Sequence, residues 1–254
     1  MGYDHLRIKS NAKLFYKNNQ GWSIVAALIL LGIPYAAGMV LGIIMYVIDI
    51  IAAAAVGIGA GGGSEGAGWV FIGTVSVLFY ITAAVLSIIV GSVTYVLSMG
   101  VQNWFRRSIY EKVQLKEIFR PFSGGKLWSN IGMCMLIQIF TFLWSMLFII
   151  PGIVKSISYS MAMYIKAENP NIPASRAIEL SKLITDGHKG DLFYLGLSFL
   201  GWFLLSSLTY NILGIVYVFP YFYAAHAFAY EEIKADAIAR GILDISELRG
   251  YDYV

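Results

Sequence analysis

Four long stretches of the chain carry no charged side chain: 18–48, 66–105, 127–154 and 192–230, which hold 31, 40, 28 and 39 residues. An apolar helix needs about 20 residues to cross about 30 Å of hydrocarbon, so each stretch is long enough to span a bilayer. The pattern predicts six spans, at about 22–48, 69–101, 127–150, 153–165, 192–210 and 214–230, arranged as three hairpins. Pro34 should kink the first span, since proline removes a backbone donor. The second is longer than the hydrocarbon needs and should tilt or protrude. Between them, Gly57 to Gly68 holds seven glycines in twelve residues and reads as a flexible outer turn. Pro151-Gly152 is the turn signal after the third span, and Asn211-Ile212-Leu213-Gly214 divides the last charge-free run. The alternative for that run is one crossing plus a re-entrant segment, which would leave the C-terminal tail outside.

The charges between these stretches set the orientation. Seventeen of the eighteen Lys and Arg residues fall in four segments: before residue 22, at 106–126, at 166–189, and in the tail 231–254. Lys and Arg accumulate on cytoplasmic loops, so these segments belong inside together with both termini. Three of them read as amphipathic interfacial helices: Ile8, Ala12 and Phe15 form one stripe opposite Lys9, Lys13 and Lys17, with further stripes at Leu115, Phe119 and Phe122 and at Ala177, Leu180 and Ile184. Their expected role is to lie on anionic lipid and brace the bundle, with a protein partner as the alternative. The predicted fold is an all-α polytopic transmembrane bundle, a single membrane domain over 1–254 with residues 1–21 as a cytoplasmic amphipathic segment.

Composition agrees, with 58% hydrophobic and 13% charged residues against about 25% charged in soluble domains. The lone Cys134 excludes a disulfide framework within one chain, and a net charge of +3 gives no reason to expect nucleic acid. The first apolar run is far longer than the core of a signal peptide, so no cleaved signal is expected, and Leu6 breaks the myristoylation pattern.

Candidate chemistry is sparse. Lys155 lies at the edge of a short span, where a cation is costly and needs an explanation. Either it pairs with Asp49 at the outer end of the first span, or it snorkels to headgroups. His226, with Tyr221, Tyr223 and Tyr230 near it in sequence, suits a proton-linked role or a hydrogen-bonded place inside the bundle. Trp22, Trp104 and Trp128 fall where an interfacial aromatic belt is expected, and Gly38 and Gly42 fit close helix packing. A short repeat relates Gly152-Ile153-Val154 and Tyr159 to Gly214-Ile215-Val216 and Tyr221, each opening the second arm of a hairpin. No hydrolase, metalloprotease or phosphate-loop motif is present, and no cofactor or metal site is expected.

Ile150-Pro151-Gly152-Ile153, Tyr159, Asn169-Pro170, Gly187-His188-Lys189, Leu197-Ser198-Phe199-Leu200-Gly201-Trp202 and Pro220-Tyr221 together carry a family likeness. From about Arg7 onward the chain resembles the bacterial membrane family catalogued as domain of unknown function 975. The resemblance implies an all-helical integral protein of the bacterial cytoplasmic membrane without catalytic residues to transfer. Lys155, Asp49, His226, Tyr159, Tyr221 and Trp202 are the candidate intramembrane functional residues. Expected partners are membrane lipids and a hydrophobic peptide or another membrane protein, in antimicrobial-peptide immunity or envelope maintenance. The alternative is a small transporter or channel.

Overall fold

The computed structural model describes residues 4–59, 65–123 and 125–248. Among these every regular element is helical. In chain order they are α1 (His5–Asn18), α2 (Gln20–Gly59), α3 (Glu65–Arg107), a 3₁₀ helix (Leu115–Phe122), α4 (Leu127–Leu147), α5 (Ile149–Tyr159), α6 (Ala162–Glu168), α7 (Ala174–Ile184), α8 (Lys189–Leu197), α9 (Leu200–Leu208), a π-helical turn (Gly214–Val218), α10 (Phe219–Ala239) and α11 (Ile245–Leu248). Among the described residues, four stretches are long and apolar enough to cross a membrane: Gln20–Ile48, Ile81–Arg107, Leu127–Leu147 and Lys189–Leu208.

The chain divides into two compact units. Leu31–Thr94 contains most of α2 and the first part of α3. Met39, Val40, Ile43, Ile44, Tyr46, Val47 and Ile48 of α2 are all exposed there, over more than half of the helix circumference. Such continuous apolar exposure suits lipid and not water. The helix runs on through Pro34. Helical structure also extends into the expected glycine turn, to Gly59 and from Glu65, while residues 60–64 lie outside the described set. A β-carbon at Gly38 or Gly42 would have no described atom within 4 Å, so no close packing is made there among the described residues.

The other unit, Met1–Leu30 with Tyr95–Val254, holds the packed core. Its centre is α10, which alternates small and large residues so that neighbours approach it on several sides. Ala224, Ala225, Ala227, Ala229, Tyr230, Ile233 and Ala237 are all buried. Helix α1 lies along α10, while α7 packs on α4, α5 and α6. The stripes Ile8–Ala12–Phe15 and Ala177–Leu180–Ile184 are buried as expected, yet what covers them is protein. These two helices do not rest their apolar faces on lipid.

The third stripe is corrected. Residues 115–122 form a 3₁₀ helix, with three residues per turn, so that 115, 118 and 121 eclipse one another. Ile118 and Pro121 are buried and Phe119 is exposed, whereas an α-helical reading had placed Phe119 on the apolar stripe. Trp104 is also corrected: it is buried, and its indole N–H donates to the Val113 carbonyl at 3.2 Å. Trp22 and Trp128 are exposed, as a belt requires.

Helices α4 and α5 form a hairpin whose break is at Phe148, in extended backbone, three residues before the expected turn. Pro151 instead occupies the third position of α5, where an unbonded N–H costs nothing. Gly152 sits against Ser145 of α4, and a β-carbon would stand 2.8 Å from the Ser145 α-carbon. The return arm runs through α5 and α6, interrupted at Ser160-Met161, and therefore reaches Glu168 instead of ending at 165. In the next hairpin the turn falls where expected, at Tyr210 and Asn211, both with positive φ. Gly214 there also faces a serine hydroxyl, that of Ser206, with the Phe219 ring in place of a backbone approach. A serine hydroxyl against each glycine gives the short repeat a packing cause. The last arm starts as the π-helical turn and runs past 230 into the charged residues Glu231, Glu232 and Lys234.

Candidate functional site

A cavity of about 760 Å³ opens in the second unit between the C-terminal part of α3 and helices α4, α5, α6 and α10. The volume is within the range of small-molecule sites. Apolar side chains such as Ile137, Met163 and Phe222 form much of the wall, and Ile139 and Phe142 on the rim are exposed. Apart from His226, no ionisable residue other than tyrosine lines it.

Three residues that line it each carry a buried polar atom with no hydrogen bond among the described residues: Gln102 Oε1, the Tyr164 hydroxyl and His226 Nε2. An unsatisfied buried polar group costs about 1–3 kcal/mol. Three such groups on one cavity wall are therefore an expense that packing alone does not explain. Their other contacts fix them in place. Gln102 Nε2 lies 3.4 Å from Met163 Sδ, the Tyr164 ring stacks on Tyr230 at 4.8 Å, and the His226 ring lies 4.3 Å from Phe222, one helical turn away.

One turn further along α3 and α6, and two turns further along α10, the character changes to ionic. Arg106 lies four residues after Gln102, Glu168 four after Tyr164, and Lys234 eight after His226. Glu168 accepts from Arg106 at 2.6 Å and from Lys234 at 2.9 Å. Glu231 meets Lys234 at 2.7 Å and Arg106 at 3.6 Å, and the Tyr110 hydroxyl donates to it at 3.2 Å. This network, with the Tyr164–Tyr230 stack, stands on the charged side of the cavity.

The expected residues are divided among four places. Tyr159 and His226 line the cavity. Tyr221 and Trp202 do not; both pack against Tyr217, and the Tyr221 hydroxyl donates to the Lys9 carbonyl at 3.3 Å. The Lys155 ammonium lies 4.8 Å from the centre of the Trp144 ring, a cation–π contact outside the cavity wall. Asp49 belongs to α2 in the other unit, and its side chain is outside the described set, as is the expected pair with Lys155. Gln102 and Tyr164 were missed by sequence reasoning. The available signal was an uncharged amide within a long apolar run and a tyrosine followed by a charge at the helical spacing of four.

His188 has a structural place. Its Nε2 is 2.9 Å from Asp236 and its Nδ1 is 3.3 Å from Asp191, which ties the start of α8 to α10. Arg240 reinforces Asp236 at 2.7 Å. The bond from His188 holds the Asp236 carboxyl below the usual carboxylate range, with Arg240 adding to the effect. Gly187, with φ of +89°, supplies the left-handed residue that ends the preceding turn. Among the described residues no His, Cys, Asp and Glu cluster could hold a metal.

No curated protein and no solved structure matches the chain. Residues 148–237 match the model of a family described as "Protein of unknown function (DUF975)", so over that stretch, which holds Tyr159, Tyr164, His226 and the His188–Asp236 tie, the expected family resemblance is shown.

Proposed function

We propose that this chain is a non-enzymatic, multi-pass protein of the bacterial cytoplasmic membrane that binds a neutral amphiphile, a lipid or a hydrophobic peptide, in the 760 Å³ cavity. The observation that carries the reading is the set of buried, unbonded polar atoms on Gln102, Tyr164 and His226 in an otherwise largely apolar wall. An acceptor, a hydroxyl and an imidazole nitrogen suit a ligand end with both donor and acceptor character, such as a hydroxyl or an amide. A charged head would find no ionic partner on that wall. The exposed rim residues Ile139 and Phe142 give an apolar tail a route to the bilayer. Antimicrobial-peptide immunity and envelope maintenance are both compatible roles for such a site.

The test is mass spectrometry of molecules that co-purify from native membrane in mild detergent, for wild type and His226→Leu. The substitution removes a buried unsatisfied nitrogen, so stability should hold or rise while the ligand is lost. A ligand retained equally by both proteins, or none in either, removes the basis of the assignment.

The proposed topology is six spans in three hairpins with both termini inside. It is supported by the meeting of the charged ends: Lys166 contacts Ser129 at the start of α4, His188 contacts Asp236, and Arg7 of α1 bonds Glu232 of α10 at 2.6 Å. The second and third hairpins thus bring their own ends together and Arg7 brings the start of the chain to the end of the third, which supports one charged side; the concentration of Lys and Arg there favours the cytoplasm. Single cysteines at residues 13 and 246 should both react with impermeant maleimide only in inverted vesicles; labelling of either in intact cells overturns the topology.

One observation favours the alternative of a small transporter. The arm formed by α5 and α6 is discontinuous at Ser160, and Ser160 lines the cavity. Interrupted helices at a binding site are a feature of secondary transporters. Uptake of the identified ligand into liposomes would select this reading.

A further inference from the structure

A second cavity, of about 370 Å³, lies at the charged end of the same unit between α3, the 3₁₀ helix, the start of α4 and the segment after α6. Its lining includes Arg120, Lys126 and Lys166, and no Asp or Glu. Lys166 is the unusual member. Only 1% of it is exposed, a degree of burial lysine almost never reaches without a counter-charge. Its ammonium donates to Ser129 Oγ at 2.9 Å, to the Pro170 carbonyl at 3.0 Å and to the Ile172 carbonyl at 2.6 Å. All three are neutral oxygens. The geometry of the ammonium is satisfied and its charge is not.

Lys126 increases the imbalance. It stands at the N-terminal boundary of α4, a 21-residue helix without a side-chain cap, so the positive end of the helix dipole adds to the same region. Burial first, and then repulsion from Lys126, push the Lys166 ammonium below the ordinary lysine range. Arg120 is paired, with Glu117 at 3.8 Å among its partners, so the uncompensated charge of the cavity is that of the two lysines. A second polar signal comes from Asn130, 2% exposed, on the same wall. Its amide nitrogen donates to the Pro121 carbonyl at 2.8 Å, which fixes the orientation of the amide, and its Oδ1 is buried without a hydrogen bond.

We propose that this cavity binds a phosphate-bearing anion that also carries a hydroxyl, with the phosphate between Lys126, Lys166 and Arg120 and the hydroxyl donating to Asn130 Oδ1. An anion placed there neutralises two ammonium groups that otherwise repel each other, and one donor satisfies the orphaned acceptor. Two sources share this chemistry: the headgroup of phosphatidylglycerol and a soluble glycerol phosphate. The site is separate from the neutral cavity of the proposed function and stands or fails independently of it.

The test uses the full chain in neutral detergent, with added phosphatidylglycerol or phosphatidylcholine as probes, retained lipid read by mass spectrometry, and glycerol 3-phosphate as competitor. Wild type should retain phosphatidylglycerol over phosphatidylcholine. Lys126→Gln, which removes a charge that makes no bond holding the fold, should weaken retention about tenfold, the equivalent of one charge-assisted contact. Lys166→Met removes three internal hydrogen bonds as well as the charge and serves only as a companion where it folds. Retention that resists millimolar glycerol 3-phosphate identifies a lipid headgroup. Glycerol 3-phosphate bound directly, and weakened by Lys126→Gln, identifies the soluble source. Equal retention of the two lipids with no binding of glycerol 3-phosphate, or binding indifferent to Lys126→Gln, overturns the proposal.

Discussion

At Gly100 of α3 the Ile118 backbone carbonyl comes so close that a β-carbon would collide with it, the Ile118 carbonyl carbon being 2.8 Å away. A backbone group held by the 3₁₀ helix cannot swing aside as a flexible side chain can. Gly100→Ala should therefore destabilise the protein by about 1–3 kcal/mol, the usual cost of overpacking, whereas Gly132→Ala, with open space at its β-carbon, should be neutral or stabilising. Thermal unfolding in detergent separates the two.

Asp236 gives a pH signature at the same scale. Its carboxyl is depressed by the His188 bond, so the stability it contributes is fully present above about pH 4, the unfolded carboxylate value. That contribution fades as the pH falls through the lower folded value. Wild type should lose melting temperature below pH 4 more steeply than Asp236→Asn; parallel curves would count against the tie between α8 and α10. Gly187-His188-Lys189 is one of the segments that carry the family likeness. The structure gives the Gly and His of that motif a fastening role, which no spacing rule could supply because the partner is 48 residues away.

Among the elements, the ionic layer joins α3, α6 and α10 through side chains that are 8–18% exposed. Removing one member of a buried ionic set leaves its partners uncompensated, at about 3–5 kcal/mol. Glu168→Gln leaves Arg106 and Lys234 with Glu231 alone and should cost about 3 kcal/mol by denaturant titration, more than Glu179→Gln at an exposed i, i+3 pair. The same elements show what local sequence could reveal. The stripes of α1 and α7 were legible because an α-helix repeats every 3.6 residues. The stripe at 115–122 was not, since Pro121 and a three-residue period shift the buried positions to 118 and 121. The repeat at Gly152 and Gly214 was visible as letters, while its cause, a serine on the facing arm, required the hairpins to be closed.

At the scale of the whole molecule, the charge-free runs pointed to a membrane protein and to six spans; four of these have a counterpart among the stretches long and apolar enough to cross, while 153–165 and 214–230 do not. They could not reveal that the charged ends assemble into a protein core around α10, because that depends on pairings such as Arg7 with Glu232 across the length of the chain. Nor could they single out Gln102 and Tyr164, whose polar atoms become unusual only once buried beside a cavity. The most direct measurement of the central claim is photo-crosslinking with a monoacylglycerol carrying a diazirine on its acyl chain, with adducts mapped by peptide sequencing. The account predicts adducts at the cavity wall, near Phe142, Tyr159 and Tyr223, that disappear in His226→Leu. Adducts confined to the exposed apolar surface around Phe148–Ile150 and unchanged in the variant would contradict it.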